Sequence, residues 1–453
     1  MNLIVELIQY LMILLIGIYT FYSFKVFSYR NKLQQNKAYD ILTTIIFLIH
    51  FVGYATLTLQ LQSMKLVILY AEEVLLFVLV LVLYRIIYPK HSRLLLRNML
   101  LLLSVSFIVL TRLSVDVAKR QVMIVAGAFL IGLAVPYLII KLQRLREFGW
   151  IYGGAGIVIL LIVLIMGKTS FGATNWLSIY GVSIQPSEFV KLLFVFAIAS
   201  LLRESIHLKQ LLLISVMAAV NVLILVFQKD LGGALIFFIT YVFMLYAATG
   251  RPIYLFSGLF GGSFAAFIAY KLFSHVRVRV IAWQNPFKYI DKEGYQITQS
   301  LFAIGTGGWF GMGINRGLPT NIPVVDSDFI FSAISEELGG LFAICIILIF
   351  VSCFVMMINI SLEQMDAFYH LLAIGFAVMF AFQVVLSIGG VIKFIPSTGV
   401  TLPLVSKGGS SVLMTVIMFM FLQGIYMREK SGRKNTNRTG RSRKAAEGTE
   451  DMQ

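Results

Sequence analysis

Long apolar runs separated by short charged clusters fill the chain from its start to about residue 427. Thirteen such runs lie near 4–26, 40–60, 65–88, 96–112, 120–140, 150–167, 187–203, 208–227, 231–249, 252–273, 330–357, 368–392 and 409–427. A helix needs about 20 apolar residues to cross roughly 30 Å of hydrocarbon, and only helices or closed barrels satisfy their backbone there. The pattern therefore predicts an all-α polytopic membrane protein with about 13 transmembrane helices. The first run, Leu3 to Phe27, has no preceding basic segment and exceeds a signal-peptide core, so it reads as a retained span.

The charges between runs set an orientation. Basic residues gather in the first loop (Arg30, Lys32, Lys37), the third (Arg85, Lys90, Arg93, Arg97), the fifth (Lys141, Arg144, Arg146) and the seventh (Arg203, Lys209). Positively charged loops stay in the cytoplasm, so the N-terminus lies outside. The basic tail after Tyr426 lies inside, as an odd number of spans requires. Low in hydrophobic residues, that tail is expected to be disordered. The loop from Ser274 to Asp328 falls outside and is far longer than the others; its glycine-rich stretch Gly305–Gly313 and its tryptophans predict an ordered, partly re-entrant cap.

Composition agrees. Of 453 residues 59% are hydrophobic and 13% charged, with mean hydropathy +0.89. In such a chain the net charge of +16 marks cytoplasmic loops and anionic lipid rather than nucleic acid. Cys345 and Cys353 are eight positions apart on one helix, roughly 12 Å, too far for a disulfide. The five histidines are scattered, which argues against structural zinc, and the glycine stretch lacks the Gly-Lys-Ser/Thr of a nucleotide loop.

Ionisable groups inside apolar runs carry the information about chemistry, because each is costly to insert. Glu188 and Lys191 share a helix face just after Pro186, as a buried ion pair or a site for an anionic lipid head. Asp230 follows Lys229 at the end of a run; Glu72 and Glu73 are adjacent, so at least one must face protein, water or a partner. Asp326-Ser-Asp328-Phe-Ile-Phe331, followed by Glu336-Glu337, ends the long loop where an apolar helix begins. One Asp there is explained by helix capping, but two acids on a loop rich in arginine are not. A carboxylate at this place can act as general base, with Arg277, Arg279, Arg316 or Lys407 to hold a phosphate leaving group.

Six segments in order resemble a known family: Gly172–Leu177, Gln185–Lys191, Gln228–Ala234, Gly294–Ser300, Asp328–Phe331 with Glu336–Gly339, and Pro396–Pro403 with Gly408–Ser411. Together they resemble the SEDS family (shape, elongation, division and sporulation), the RodA/FtsW/SpoVE-type peptidoglycan polymerases. The resemblance covers roughly residues 95–427. It implies a ten-helix core that polymerises lipid II, an undecaprenyl-linked substrate, outside the bacterial cytoplasmic membrane beside a class B penicillin-binding protein. It carries the family's essential aspartate onto Asp328. Glu188, Lys191, Asp230, Gln296, Gln299 and Ser410 in these motifs, with Arg277, Arg279, Asp326 and Lys407, then become substrate-binding candidates. The sequence departs from the family pattern at Asn175, Lys229, Asp326 and Lys407, where arginine, proline, histidine and tyrosine are expected.

The division that follows is a three-helix extension over 1–94, a glycosyltransferase core over 95–427 and a basic tail over 428–453. In the implied reaction Asp328 is base to the 4-hydroxyl of an incoming lipid-linked disaccharide, and undecaprenyl pyrophosphate departs. The outer-loop arginines, with Mg²⁺ or Mn²⁺, would stabilise it. Two rivals are a lipid II flippase, which needs charges at several depths, and a non-catalytic scaffold for the penicillin-binding protein.

Overall fold

The computed structural model describes the backbone of residues 2–170, 173–179, 182–204 and 207–450 and, with few exceptions, side chains from Glu6 to Lys430. Gly172, which opens the first family-like segment, lies outside the described residues. The first three runs form α1 (Asn2–Ser28), α2 (Lys32–Leu61) and α3 (Met64–Ile87). Then come α4 (Arg93–Leu113), α5 (Val115–Gly132), α6 (Val135–Lys141), α7 (Gly149–Met166), α8 (Pro186–Leu201), α9 (Leu208–Phe227), α10 (Leu231–Thr249) and α11 (Pro252–Leu272). The long loop holds α12 (Ser274–Gln284) and α13 (Tyr295–Gly307). It leads into α14 (Ile330–Leu338), α15 (Gly340–Leu362), α16 (Ala367–Val391) and α17 (Gly409–Glu450).

Among the described residues, 12 helical segments are long and apolar enough to cross a membrane. The remaining expected span is α8, whose 16 residues rise only about 24 Å. It is embedded in protein on nearly every side. The run expected at 120–140 is two helices, α5 and α6, parted at Leu133–Ala134 ahead of Pro136, whose missing N–H and bulky ring cannot continue a helix. The run expected at 330–357 is also two, for a reason that belongs to the site. The tail expected to be disordered continues α17 as far as Glu450, and no proline interrupts it.

The all-α expectation misses a small antiparallel sheet between α7 and α8. Its strands are β1 (Lys168–Ser170), β2 (Ala173–Ile179) and β3 (Val182–Ile184), with β2 in the middle. Threonine, tryptophan, valine and isoleucine favour strands, but stretches this short leave no periodic signal. Thr174 N donates to Gln228 O (2.9 Å), which fixes the sheet to the end of α9.

Helix α4 is almost wholly buried because the three N-terminal helices cover one side of it and the core the other. Polar groups in a bilayer need partners within the protein, and here they bind the two parts together. His50 Nε2 lies 3.1 Å from Glu73 Oε2. Tyr54 donates to Glu73 Oε1 (2.7 Å) and meets Thr111 Oγ1 of α4 (2.7 Å), while His50 Nδ1 meets Ser104 Oγ of α4 (3.0 Å). Of the adjacent acids, Glu73 thus faces protein and Glu72 is exposed. From α1, Tyr19 donates to Asn98 Oδ1 (3.0 Å), and Ser23 pairs with Ser352 of α15 (2.6 Å). Removing one member of a buried pair strands the other's charge, whereas replacing both does not. His50→Leu alone should therefore lower the melting temperature in detergent more than His50→Leu combined with Glu73→Leu, read by thermal unfolding of the purified proteins.

Candidate active site

The site is built on a helix that breaks. At Gly339 the chain takes φ +91°, which separates α14 from α15, and a side chain there would fall on the backbone of Trp309, Phe310 and Gly311. The backbone groups orphaned at the break are taken up by that neighbouring strand of chain. Met312 N and Gly313 N donate to Glu336 O and Glu337 O (both 2.9 Å). Gly340 N and Leu341 N donate to Gly308 O (2.8 Å) and Trp309 O (3.1 Å). The glycine-rich stretch is therefore a main-chain collar around the junction of α14 and α15. All nine residues of α14 are buried.

Asp328 stands two residues before α14. The helix begins with Phe329 at its cap position and has no side-chain cap, so capping does not account for the aspartate. Its amide donates to Val324 O (3.1 Å) and the residue is half-buried. Burial pushes the carboxyl above its ordinary pKa; the Ser327 hydroxyl and the Arg279 guanidinium pull it down, and Asp326 pushes it up. Gly399, with φ +71°, passes so near that a Cβ built on it would stand 3.4 Å from Asp328 Oδ2. At this position a left-handed backbone and a close approach to the carboxylate coincide.

Arg279, on α12, lies among carboxylates. Burial lowers its pKa, while Asp230 and Asp328 act to raise it, and its Nη1 donates to Ser397 O (3.0 Å). Asp230 caps α10 by accepting from Gly233 N (2.8 Å), and its other oxygen accepts from Asn175 Nδ2 (3.1 Å). Lys229 has φ +61°, a backbone that proline cannot adopt, so the proline expected here from the resemblance would not fit this turn. Lys229 and Arg279 both act on His275, so the three basic side chains share one neighbourhood.

The two departures nearest Asp328 meet each other. Lys407 Nζ lies 2.8 Å from Asp326 Oδ2, and Lys407 N donates to Asp326 O (2.7 Å). Beside them the Ser406 hydroxyl donates to Ser327 O and accepts from Leu402 N (2.9 Å). The loop before α17 is thus fastened to the two residues that precede the aspartate.

Other residues singled out from sequence fall elsewhere. Arg277 is exposed and donates to Lys271 O (2.9 Å). It sits two positions from Arg279 on a helix, about 200° around the axis, so the two cannot face one carboxylate. Arg316 lies 3.7 Å from Glu6 of α1. On α13, Gln296 is exposed and Gln299 half-buried. Ser410 accepts from Gln185 N (3.0 Å) at the start of α8. Glu188 and Lys191 form a buried pair at 2.8 Å, and Lys191 also donates to Gln383 of α16 (3.2 Å). They line a cavity of about 20 Å³, room for roughly one water and far too little for a lipid head. Glu337 pairs with Arg112 (2.9 Å) and Glu336 accepts from Leu318 N (2.9 Å), both bracing the collar rather than Asp328. Arg112, at the last turn of α4, and the close approach of Gly399 were missed from sequence; the basic residue ending an apolar run was the signal for the first.

Among the described residues no three His, Cys, Asp or Glu side chains gather as metal ligands. Asp326 is held by Lys407 and Asp230 by its cap and Asn175, so the donors near Asp328 do not make a protein-built cage for a divalent ion.

Residues 90–431 match the family of FtsW, RodA and SpoVE, described as cell cycle proteins. The chain belongs to that family. It is 34% identical over 319 residues to the peptidoglycan glycosyltransferase RodA of Mycobacterium tuberculosis H37Rv, covering 65% of this chain and 68% of that protein. It is 33% identical over 320 residues to the probable peptidoglycan glycosyltransferase FtsW of Escherichia coli O157:H7, covering 67% and 76%. A chain of a solved peptidoglycan synthase complex that coordinates polymerization and crosslinking matches with TM-score 0.64 and 25% identity, over 75% of this chain and 98% of that one. The rod shape determining protein RodA of Thermus thermophilus matches with TM-score 0.57 and 23% identity, over 74% and 96%, a likeness of fold. The chain is therefore a helical, multi-pass membrane protein of this family, and the match leaves α1 to α3 outside it.

An ion pair as exposed as Asp326–Lys407 contributes little to stability. Asp326→Ala and Lys407→Ala should each cost less than about 1 kcal/mol, and the double variant no more than either single, in detergent unfolding.

Proposed function

We propose that this family member is a peptidoglycan glycosyltransferase that polymerises glycan chains from lipid II. The observation that carries the reading is the carboxyl of Asp328, which caps no helix, packs on Gly399 and is faced by Arg279. The names of its relatives and its resemblance to a chain of a peptidoglycan synthase complex support it. The 4-hydroxyl of the incoming lipid-linked disaccharide gives its proton to Asp328. Its oxygen then bonds to the anomeric carbon of the growing chain, with inversion, as the bond from that carbon to the pyrophosphate oxygen breaks. Undecaprenyl pyrophosphate leaves with the electron pair. Arg279, with Lys229 in its neighbourhood, supplies the positive field for those phosphates. A general base contributes typically 10²–10⁴-fold to such a step.

The charge pattern of the loops supports placing this site on the extracytoplasmic side of the cytoplasmic membrane. The likeness to a polymerising and crosslinking complex supports a class B penicillin-binding protein as partner.

Asp328→Asn should fold and insert but lose polymerisation by at least about 10²-fold, read as glycan chains on a gel from purified protein, the cognate transpeptidase and labelled lipid II. Retained activity would sink the assignment; translocation without chains would favour a flippase, and neither activity in the wild type a scaffold.

The pH profile gives a second check. The base works as carboxylate, so activity is full above the Asp328 pKa and falls as pH drops through it. Asp326 raises that pKa, so Asp326→Asn should move the acid limb to lower pH; Arg279 lowers it, so Arg279→Gln should move the limb to higher pH. Unmoved limbs in both variants would count against Asp328 as the base.

A further inference from the structure

The three added helices reach the collar around the α14–α15 junction directly. From α1, Gln9 Nε2 donates to Phe310 O and to Gly311 O (2.6 Å for the latter), and the Tyr10 and Phe310 rings meet edge to face at 5.5 Å. Glu6 of α1 lies 3.7 Å from Arg316. From the last turn of α2, Gln60 Nε2 donates to Ile314 O (2.9 Å). Four side chains on two helices thus converge on seven consecutive residues, 310 to 316, and both glutamines grip main-chain oxygens there.

From that stretch the connection to Asp328 is short. Met312 and Gly313 hold the last carbonyls of α14, and α14 begins two residues beyond Asp328. On the core side, Arg112 Nη2 donates to Gly317 O (3.1 Å) while its Nε holds Glu337 (2.9 Å). The collar is therefore held between core helix α4 and the added α1 and α2. These helices are themselves tied into the bundle by the His50–Glu73–Tyr54 and Tyr19–Asn98–Ser352 networks. A brace anchored this way transmits position rather than yielding to the loop it holds.

We propose that the three-helix extension is a clamp on the catalytic loop: Gln9 and Gln60 are positioning residues that set the collar, and through α14 the placement of Asp328. A purely structural appendage would need apolar contact with α4 alone. Donors aimed at main-chain oxygens of a loop that precedes the base do more, since they fix a segment whose own glycines leave it many conformations. The proposal rests on the polymerase reading for its catalytic half and on geometry alone for its mechanical half.

The test replaces both donors with isosteric acceptors, Gln9→Glu with Gln60→Glu, in the full-length protein, beside Gln9→Lys with Gln60→Lys, which keeps a donor at each place. Hydrogen exchange by mass spectrometry reads the clamp whether or not the protein polymerises. Amides of 308–328 should exchange about tenfold faster in the glutamate variant, the effect of losing two hydrogen bonds, and near the wild-type rate in the lysine variant. With labelled lipid II and the cognate transpeptidase, kcat should fall several-fold in the glutamate variant with KM held, and recover in the lysine variant. Unchanged exchange across 308–328, or faster exchange with kcat within twofold of an active wild type, overturns the clamp. A wild type that makes no glycan chains overturns the polymerase reading instead, and exchange alone then decides the mechanical half.

Discussion

A helix that ends inside a membrane protein must hand its unpaired backbone groups to some other part of the chain, because lipid offers them nothing. At Gly339 that demand is met by four main-chain bonds from residues 308–313. The placement of the site follows from this exchange. It frees α14 to be a short buried helix with its own direction, and it puts Asp328 at the entrance of that helix instead of inside a continuous span. It also makes the glycine-rich stretch structural: glycine at 339 and 311 is what lets two backbones lie against each other.

Around the aspartate, charge is arranged by pairing rather than by accumulation. Asp326 is answered by Lys407, Asp230 by Asn175 and the amide of Gly233, and Arg279 stands between Asp230 and Asp328. Two departures from the family pattern, at 326 and 407, are one change when seen in space. The aspartate and lysine that stand there bind each other at 2.8 Å, and Asp326 bears on the field at Asp328.

Much of this was legible in the sequence because lipid imposes a coarse rule. Span positions follow from apolar length, and Asp328 stands out as an acid where a loop turns into helix. Capping could be set aside only with coordinates, since whether an Asp side chain reaches an amide is a matter of a few ångströms. Arg277 and Arg279 were equivalent candidates by composition; two steps of 100° separate them in the helix, and only one faces the carboxylate. The strands of the small sheet were invisible for another reason: three to seven residues are too few for a period to register.

The buried pair on α8 has a consequence for how the protein is made. Glu188 and Lys191 neutralise each other within one turn of helix, but the other partner of Lys191, Gln383, follows 192 residues later in the chain. At roughly 5–20 residues per second, synthesis takes about 10–40 s to supply it. During that interval the lysine of α8 is matched only by the glutamate three residues before it. The local ion pair thus lowers the cost of holding the α8 lysine in an apolar setting before the helices that enclose it are made.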